Sequence, residues 1–402
     1  MFREHFIPIL KRSALLYDAN ARLKASQTRR ALVRLKRRYE RLARERGIVY
    51  SEVAALDLLR ERLKRRGLDV APKTKGGLRI LWTGANWFQD SSGFLAGLEQ
   101  MGAVQLFHHA PGKYGLRQTG DGDVPVNDLA MSKYIDASET GPAFDLVMGQ
   151  MWANFISAGA LDRVRERGIV TINVSMDDRL PEHWRSKGGL RLGSVGLGPG
   201  LDMVLTSSPE CCERYLVENC PALFFPMASD PLRFKPYPES EKKYDVSFVG
   251  SKYGLRGRIV EALEHAGVHV ETFGPGWPNG SIDASRSAEV FGRSRIILGI
   301  GTIAHNDDLF TLKLRDFDAT TAGALYLTHR NPDLLTLFSE GKEIVCYESI
   351  EECVHKVKYY LAHPAHRMAI AASGMARAHR EHTWEQRIGK TLARMGLLAQ
   401  DT

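Results

Sequence analysis

From Gly77 onward, short runs of β-branched and aromatic residues alternate with longer stretches of helical pattern. No other feature restricts the chain as much, because such alternation is the signature of parallel βαβ units. The first half offers six runs, at 78–84 (LRILWTG), 104–107, 144–150, 169–175, 203–208 and 222–228. The second offers five, at 245–251 (DVSFVGS), 268–274, 295–301, 324–330 and 343–349. Between them, residues 229–244 (SDPLRFKPYPESEKKY) are rich in proline and charge and have no apolar period, which marks a linker. The expectation is an α/β protein of two doubly wound, Rossmann-like domains, 77–228 and 245–402, behind a segment 1–76 of different character. Helical patterns at 350–361 and 364–398 close the chain. At about 1.5 Å per residue the second is long enough to return to the first domain. Ligands of open α/β sheets sit at the carboxyl ends of the strands, so a cleft between two such sheets is the expected site.

Composition narrows the class further. At 44% hydrophobic and 25% charged, 402 residues exclude disordered, collagenous and small disulfide-stapled chains. The longest apolar runs, such as 220–228, fall short of the roughly 20 residues of a membrane span. Glu4, Lys11 and Arg12 interrupt what would be the core of a signal peptide. Five cysteines without a C-x-x-C pair suit a reducing compartment, so the expected location is cytoplasmic.

The net charge of +8 is unevenly placed. Residues 1–76 hold 21 Lys and Arg against 8 Asp and Glu, a balance of +13, which leaves −5 for the remainder. Within this basic arm, Leu32, Leu35, Tyr39 and Leu42 form one helical stripe surrounded by arginines, and Leu56, Leu59 and Leu63 form a second after Gly47. Two amphipathic helices are predicted. Their apolar stripe has three destinations through residues 10–66: the protein's own body, a second copy, or an anionic membrane surface at the inner face of the membrane. Nucleic acid is the least favoured partner, because no aromatic interleaving or known module accompanies the charge.

Three segments of the second half carry chemistry. The turn VGSKYGLRGR (249–258) follows a strand and opens a helix, so the amides of Gly250, Ser251 and Lys252 to Tyr253, with the side chains of Lys252, Arg256 and Arg258, are candidates to receive phosphate. It has neither the P-loop nor the dinucleotide glycine pattern. In FGPGW (273–277), Gly274 and Gly276 would let a backbone approach a ligand that Trp277 walls. In TLKLRDFDATTAGALYLT (311–328), Lys313 and Arg315 supply cations, Asp318 a carboxylate, and Thr320, Thr321 and Gly323 a small-residue turn.

These residues also carry a resemblance. Val249-Gly250-Ser251, Phe273-Gly274-Pro275-Gly276-Trp277, Arg315-Asp316-Phe317-Asp318-Ala319, Leu337-Phe338 with Gly341, Glu343 and Tyr347, and His382-Thr383-Trp384 with Arg387 occur in the order found in group-1-like glycosyltransferases of the spore maturation protein B-like family. The resemblance covers about 150 residues, from Tyr244 to about Arg394. It implies a GT-B fold with the nucleotide-sugar donor on the second domain, the acceptor on the first, no bound metal and no cofactor beyond the donor substrate. Lys313 and Arg315 would then face the diphosphate, Asp318 the ribose, and Thr320 to Gly323 the phosphates. The chain departs from the glutamate-x7-glutamate pattern of retaining relatives: the residue eight places before Asp318 is Phe310, and the nearest acids are Asp307 and Asp308.

For the first domain only position after a strand offers guidance. Asn86, Asp90 and Ser91 follow the first strand, and Asp177 and Asp178 follow the fourth. Asp90 and Asp177 are the candidate catalytic bases, with His109 or His108 behind them, against the alternative of helix capping and turn formation. His305 and His382 are expected to be structural. The preferred function is glycosyl transfer to an unidentified acceptor: a glycan, lipid-linked glycan, protein or small molecule. The rivals are a non-catalytic, envelope-associated protein that keeps the fold and docks through its arm, and a nucleic-acid binder.

Overall fold

The computed structural model describes residues 14–120, 122–136, 141–304 and 306–400; His305 and the first residues of the arm lie outside them. Each of the eleven runs forms a strand. In the N-terminal sheet these are β1 (Leu78–Thr83), β2 (Gly102–Leu106), β3 (Leu146–Gly149), β4 (Val170–Ser175), β5 (Met203–Thr206) and β6 (Ala222–Phe224), all parallel in the order β6-β5-β4-β3-β1-β2. The second sheet holds β7 (Tyr244–Val249), β8 (Val270–Phe273), β9 (Ser294–Gly299), β10 (Leu325–His329) and β11 (Val345–Tyr347), parallel in the order β8-β7-β9-β10-β11. Helices cover both faces, which is why β3, β4, β5 and β10 are buried along their whole length and read as unbroken apolar runs. In both sheets the order reverses between the first strand and the third. The crevices this creates open outside Thr83 and Gly149 in one domain, and outside Val249 and Gly299 in the other.

The arm consists of α1 (Ala14–Arg46) and α2 (Glu52–Arg65), separated by Gly47 at φ +64°. Ser51 caps α2 by accepting from the Ala54 amide at 3.1 Å. The apolar stripe meets the protein's own body. Leu35, Tyr39 and Ala43 are buried in one core of the N-terminal domain, and Ala55, Leu59 and Leu63 in another that includes β1. Polar bonds complete the seam: Tyr39 donates to Glu218 at 2.5 Å, Arg66 pairs with Asp202 at 2.9 Å and Lys73 with Asp145 at 2.8 Å. The segment 1–76 is therefore, over its described residues, a layer of the N-terminal domain rather than a free arm, and Leu35, Tyr39, Leu59 and Leu63 of its apolar stripe are covered by the protein's own body.

The chain crosses between the domains twice, at one place. Ser229 pairs with the segment entering the last helix: its amide donates to His382 O at 3.0 Å and its carbonyl accepts from Trp384 N at 3.0 Å. Beyond α4 (Pro364–Glu381), helix α5 (Trp384–Arg394) returns to the N-terminal domain, as its length predicted. Trp384 is buried there against Phe94, with ring centroids 5.0 Å apart, and Phe225. The His-Thr-Trp-x-x-Arg segment is thus a crossover device. Thr383 caps α5 through the Gln386 amide, and His382 donates from Nε2 to Leu337 O at 3.1 Å, while its Nδ1 accepts from Arg387 Nη2 at 2.8 Å.

Candidate functional site

A cleft of about 610 Å³ lies between the two sheets, lined from one side by residues after β1, β4 and β6 and from the other by residues after β7, β8 and at the start of helix α3 (Leu314–Thr321), which precedes β10. Its floor in the second domain is Val249, Gly250 and Ser251, the carboxyl end of the strand at which the order reverses.

Arg315 is buried and fixed there. Its Nε donates to Val249 O at 2.9 Å, Nη2 donates to the same oxygen, and the guanidinium lies 4.6 Å from the Phe248 ring centroid. Nη1 is buried without a partner. Arg256 reaches the same place from the helix after β7, donating from Nη1 to Ser251 O at 2.8 Å and stacking 4.1 Å from the Tyr253 centroid. Burial, followed by repulsion from Arg315, pulls its affinity for a proton down to a pKa of about 10. Neither guanidinium has a carboxylate at ion-pair distance among the described residues. Lys313 lines the cleft beside them, and burial lowers its pKa while Asp177, from the other domain, raises it. Three cations gathered at one end of the cleft, two of them without a carboxylate at ion-pair distance among the described residues, are chemically able to receive an anion.

Local backbone chemistry sets this geometry. The Asp316 carboxylate accepts from the Lys313 amide at 2.7 Å and from Tyr326 Oη, so the helix begins at Lys313 and its first turn points at the cleft. Gly274, at φ +125°, lets its turn press on Gly250: a Cβ there would lie 2.5 Å from Gly250 O. The amides of Gly250 and Lys252 donate to Phe273 O and Pro275 O, both at 2.8 Å.

Several expected placements are corrected. Gly250, Ser251, Gly274, Lys313, Arg315 and Asp318 line the cleft. The amides of Gly250 and Lys252 are spent on the neighbouring turn and do not face a ligand. Trp277 is a buried prop, donating to Gly250 O at 2.8 Å and carrying Lys252 Nζ 4.9 Å above its ring, so it walls no ligand and Lys252 sits outside the cleft. Thr320, Thr321 and Gly323 stand at the wrong end of the helix. Thr320 bonds back to Phe317 O at 2.9 Å, and Gly323, at φ +68°, ends the helix against Pro236 and Met375. Asp318 is buried at the cleft edge, and burial holds its carboxyl well above the usual range, opposed by Ser229 and Arg315.

In the first domain Asp90 points inward. It is fully buried, accepting from Tyr114 at 2.6 Å, from Gln150 at 3.1 Å and from Trp82 at 3.3 Å, and burial raises its pKa. It fastens the loop whose other residues, Asn86, Phe88, Gln89 and Ser92, face the cleft. His108 and His109 lie on a short hairpin around a different surface pocket, each with Nδ1 against a backbone carbonyl, at 3.1 and 2.9 Å. Of the candidate bases only Asp177 reaches the cleft. Asp178 is buried under Thr206, which donates to it at 2.9 Å.

One contact had no sequence signal beyond its position after β4. Arg179 bridges the domains, bonding Phe310 O at 2.5 Å and Asp333 at 2.6 Å. Phe310 itself lies beside His329, and Asp308 pairs with Arg29 of α1 at 2.9 Å. No carboxylate of the described residues in 301–311 lines the cleft. Nor does any group of His, Cys, Asp and Glu among the described residues have the arrangement of a metal site.

Comparison with known proteins agrees with this architecture. Residues 256–393, which include Arg256, Lys313 and Arg315, match the glycosyl transferase-like family. The fold is that of the GT-B glycosyltransferases. Similar solved structures include Anabaena Alr3699/HepE in complex with UDP and glucose, with a TM-score of 0.56 and 13% identity over 79% of this chain and 100% of that one. Alpha-glucosyltransferase AGT in complex with UDP gives 0.55 at 10% identity, covering 79% and 100%. Sucrose-phosphate synthase from Thermosynechococcus elongatus gives 0.51 at 11%, covering 79% and 99%. No curated protein matches the chain in sequence.

Proposed function

We propose that the protein transfers a sugar from a nucleoside diphosphate sugar to an acceptor bound against its N-terminal domain. The observation that carries the reading is the pair Arg256 and Arg315, buried side by side at the carboxyl end of β7 with no carboxylate at ion-pair distance among the described residues. Two such charges are costly unless an anion joins them. A diphosphate fits, with Lys313 and the first turn of α3 adding to its stabilisation as a leaving group. In transfer, the bond between the sugar's anomeric carbon and the diphosphate oxygen breaks, and the acceptor oxygen bonds that carbon. The acceptor's proton goes to a base, for which Asp177 is the one expected candidate that lines the cleft. The structures of HepE and AGT hold UDP, so uridine diphosphate sugars are the first donors to test.

The acceptor side is the loop after β1. Trp87 and Phe88 are 55% and 42% exposed there, and Phe88 lines the cleft; flat rings at this place suit the apolar face of a sugar. The five ordered sequence segments favour a place within the spore maturation protein B-like group. The positive side chains take the part a metal plays elsewhere, so chelators should leave turnover unchanged.

One observation favours a second reading, a nucleotide-binding protein without transfer: Phe310 stands where retaining relatives keep an acid, and its carbonyl is held by Arg179. Incubation with a panel of nucleotide sugars, scored for released nucleoside diphosphate together with a thermal shift for each nucleotide, separates the two. Release with one donor supports the enzyme; a shift without release supports the second reading; neither rejects both.

A further inference from the structure

We infer that the outer face of α1 is an electrostatic docking surface for an anionic lipid leaflet. Arg30, Arg34, Arg37, Arg41 and Arg44 follow one another at spacings of four, three, four and three, which puts them on a single line along the helix. That line lies opposite Leu35, Tyr39 and Ala43, the residues with which α1 is seated on the N-terminal domain. All five arginines are exposed. Only Arg41 has an acid at ion-pair distance, Glu45 at 3.6 Å, among the described residues.

The ridge spans roughly 21 Å. A solvated helix face ordinarily mixes signs to relieve self-repulsion, as Lys36 and Glu40 do on the flank of this same helix. Here the acids are missing from the middle of the face. Burial of the opposite stripe holds the ridge rigid, so no ordering cost opposes its contact with a surface.

Charge alone would suit a nucleic-acid backbone or a lipid leaflet. Two apolar side chains favour the leaflet. Leu23 continues the arginine line seven residues earlier and is 58% exposed, and Val33, beside Arg30 and Arg37, is 49% exposed. Between lipid headgroups such residues gain an apolar environment, whereas against phosphodiesters they gain nothing. Arginine stems can lie along the interface while the guanidinium groups meet phosphate. The apolar stripe being buried in the body, the helix rests on the leaflet by its charged side and does not insert. Each arginine then contributes about fivefold to partitioning, and binding falls steeply with salt.

The test is co-sedimentation of the full chain with phosphatidylcholine vesicles, with and without phosphatidylglycerol, at low and high salt. The triple variant Arg30→Glu, Arg34→Glu, Arg37→Glu is compared with the triple lysine variant, and a short DNA duplex serves as a competing ligand. The inference predicts binding only to vesicles with phosphatidylglycerol, loss of at least 100-fold in the glutamate variant, retention in the lysine variant and release by salt. Circular dichroism of the glutamate variant should match that of the parent. Equal binding to both vesicle types, no binding to either, equal binding by the glutamate variant, or tighter binding to the duplex than to the vesicles would each overturn it.

Discussion

Asp177 of the N-terminal domain and Lys313 of the C-terminal domain face each other across the cleft: the carboxylate raises the proton affinity of an ammonium that burial lowers. Such a pair holds one base and one cation on opposite sides of the place where acceptor and leaving group would meet. If Asp177 removes the acceptor's proton, Asp177→Asn should lower kcat by about 10²- to 10⁴-fold and leave nucleotide diphosphate affinity within twofold. Steady-state turnover and calorimetric binding on the same preparation check this; a parallel loss of both would make Asp177 a structural residue.

Gly250 is where the two guanidinium groups converge. A Cβ on it would stand 2.6 Å from Arg315 Nη2 and 3.5 Å from Arg256 Nη1, at a backbone φ of +153°. Gly250→Ala should therefore weaken binding of nucleoside diphosphate by tenfold or more and cost about 1–3 kcal/mol of stability. Titration of the nucleotide and denaturant unfolding measure the two effects. Unchanged nucleotide affinity would show that Arg315 does not touch the ligand.

Trp384 ties the last helix to the N-terminal domain, and a cavity there cannot collapse easily because Phe94 and Phe225 are themselves buried. Trp384→Ala is expected to destabilise the protein by about 3–5 kcal/mol, and Trp384→Phe by clearly less. Chemical denaturation of both variants tests the prediction.

His382 gives a pH dependence with a definite sign. Burial, helped by Arg387, depresses its pKa to about 4 from an ordinary 6.5. The folded value lies below the unfolded one, so the unfolded chain takes up the proton first. Stability from this residue is complete above about pH 6.5 and is lost as pH falls toward 4, by on the order of 3 kcal/mol. The buried Asp178, raised to about 6, acts in the opposite sense over much of the same range. The difference in melting temperature between parent and His382→Gln isolates the histidine: the parent should lose more stability on acidification than the variant does.

The strands were legible in the sequence because both faces of each sheet are covered, so β4 or β10 appears as an unbroken apolar run with no polar alternation to confuse it. The cations of the site were legible as residue types at the end of a predicted strand or before a predicted helix. Direction was not. The start of α3 depends on Asp316 accepting from the Lys313 amide, and without that bond Thr320 to Gly323 read as a small-residue turn facing phosphate, whereas they end the helix. Asp90 was misplaced for a similar reason. The loop after β1 kinks at Gly93, φ +139°, and turns the carboxylate toward Tyr114 and Gln150 instead of the cleft. Arg179 joins segments more than a hundred residues apart, a relation visible only when the two sheets are set face to face.

Whether Arg256 and Arg315 receive a diphosphate is decided by calorimetric titration of the full chain with the diphosphate and the monophosphate of each common nucleoside, in the parent and in Arg256→Ala and Arg315→Ala. For one nucleoside the diphosphate should bind at least tenfold more tightly than the monophosphate, and either substitution should erase most of that preference while the monophosphate still binds. Equal affinity for the two in the parent, or a preference that survives both substitutions, would show that these arginines do not receive a diphosphate.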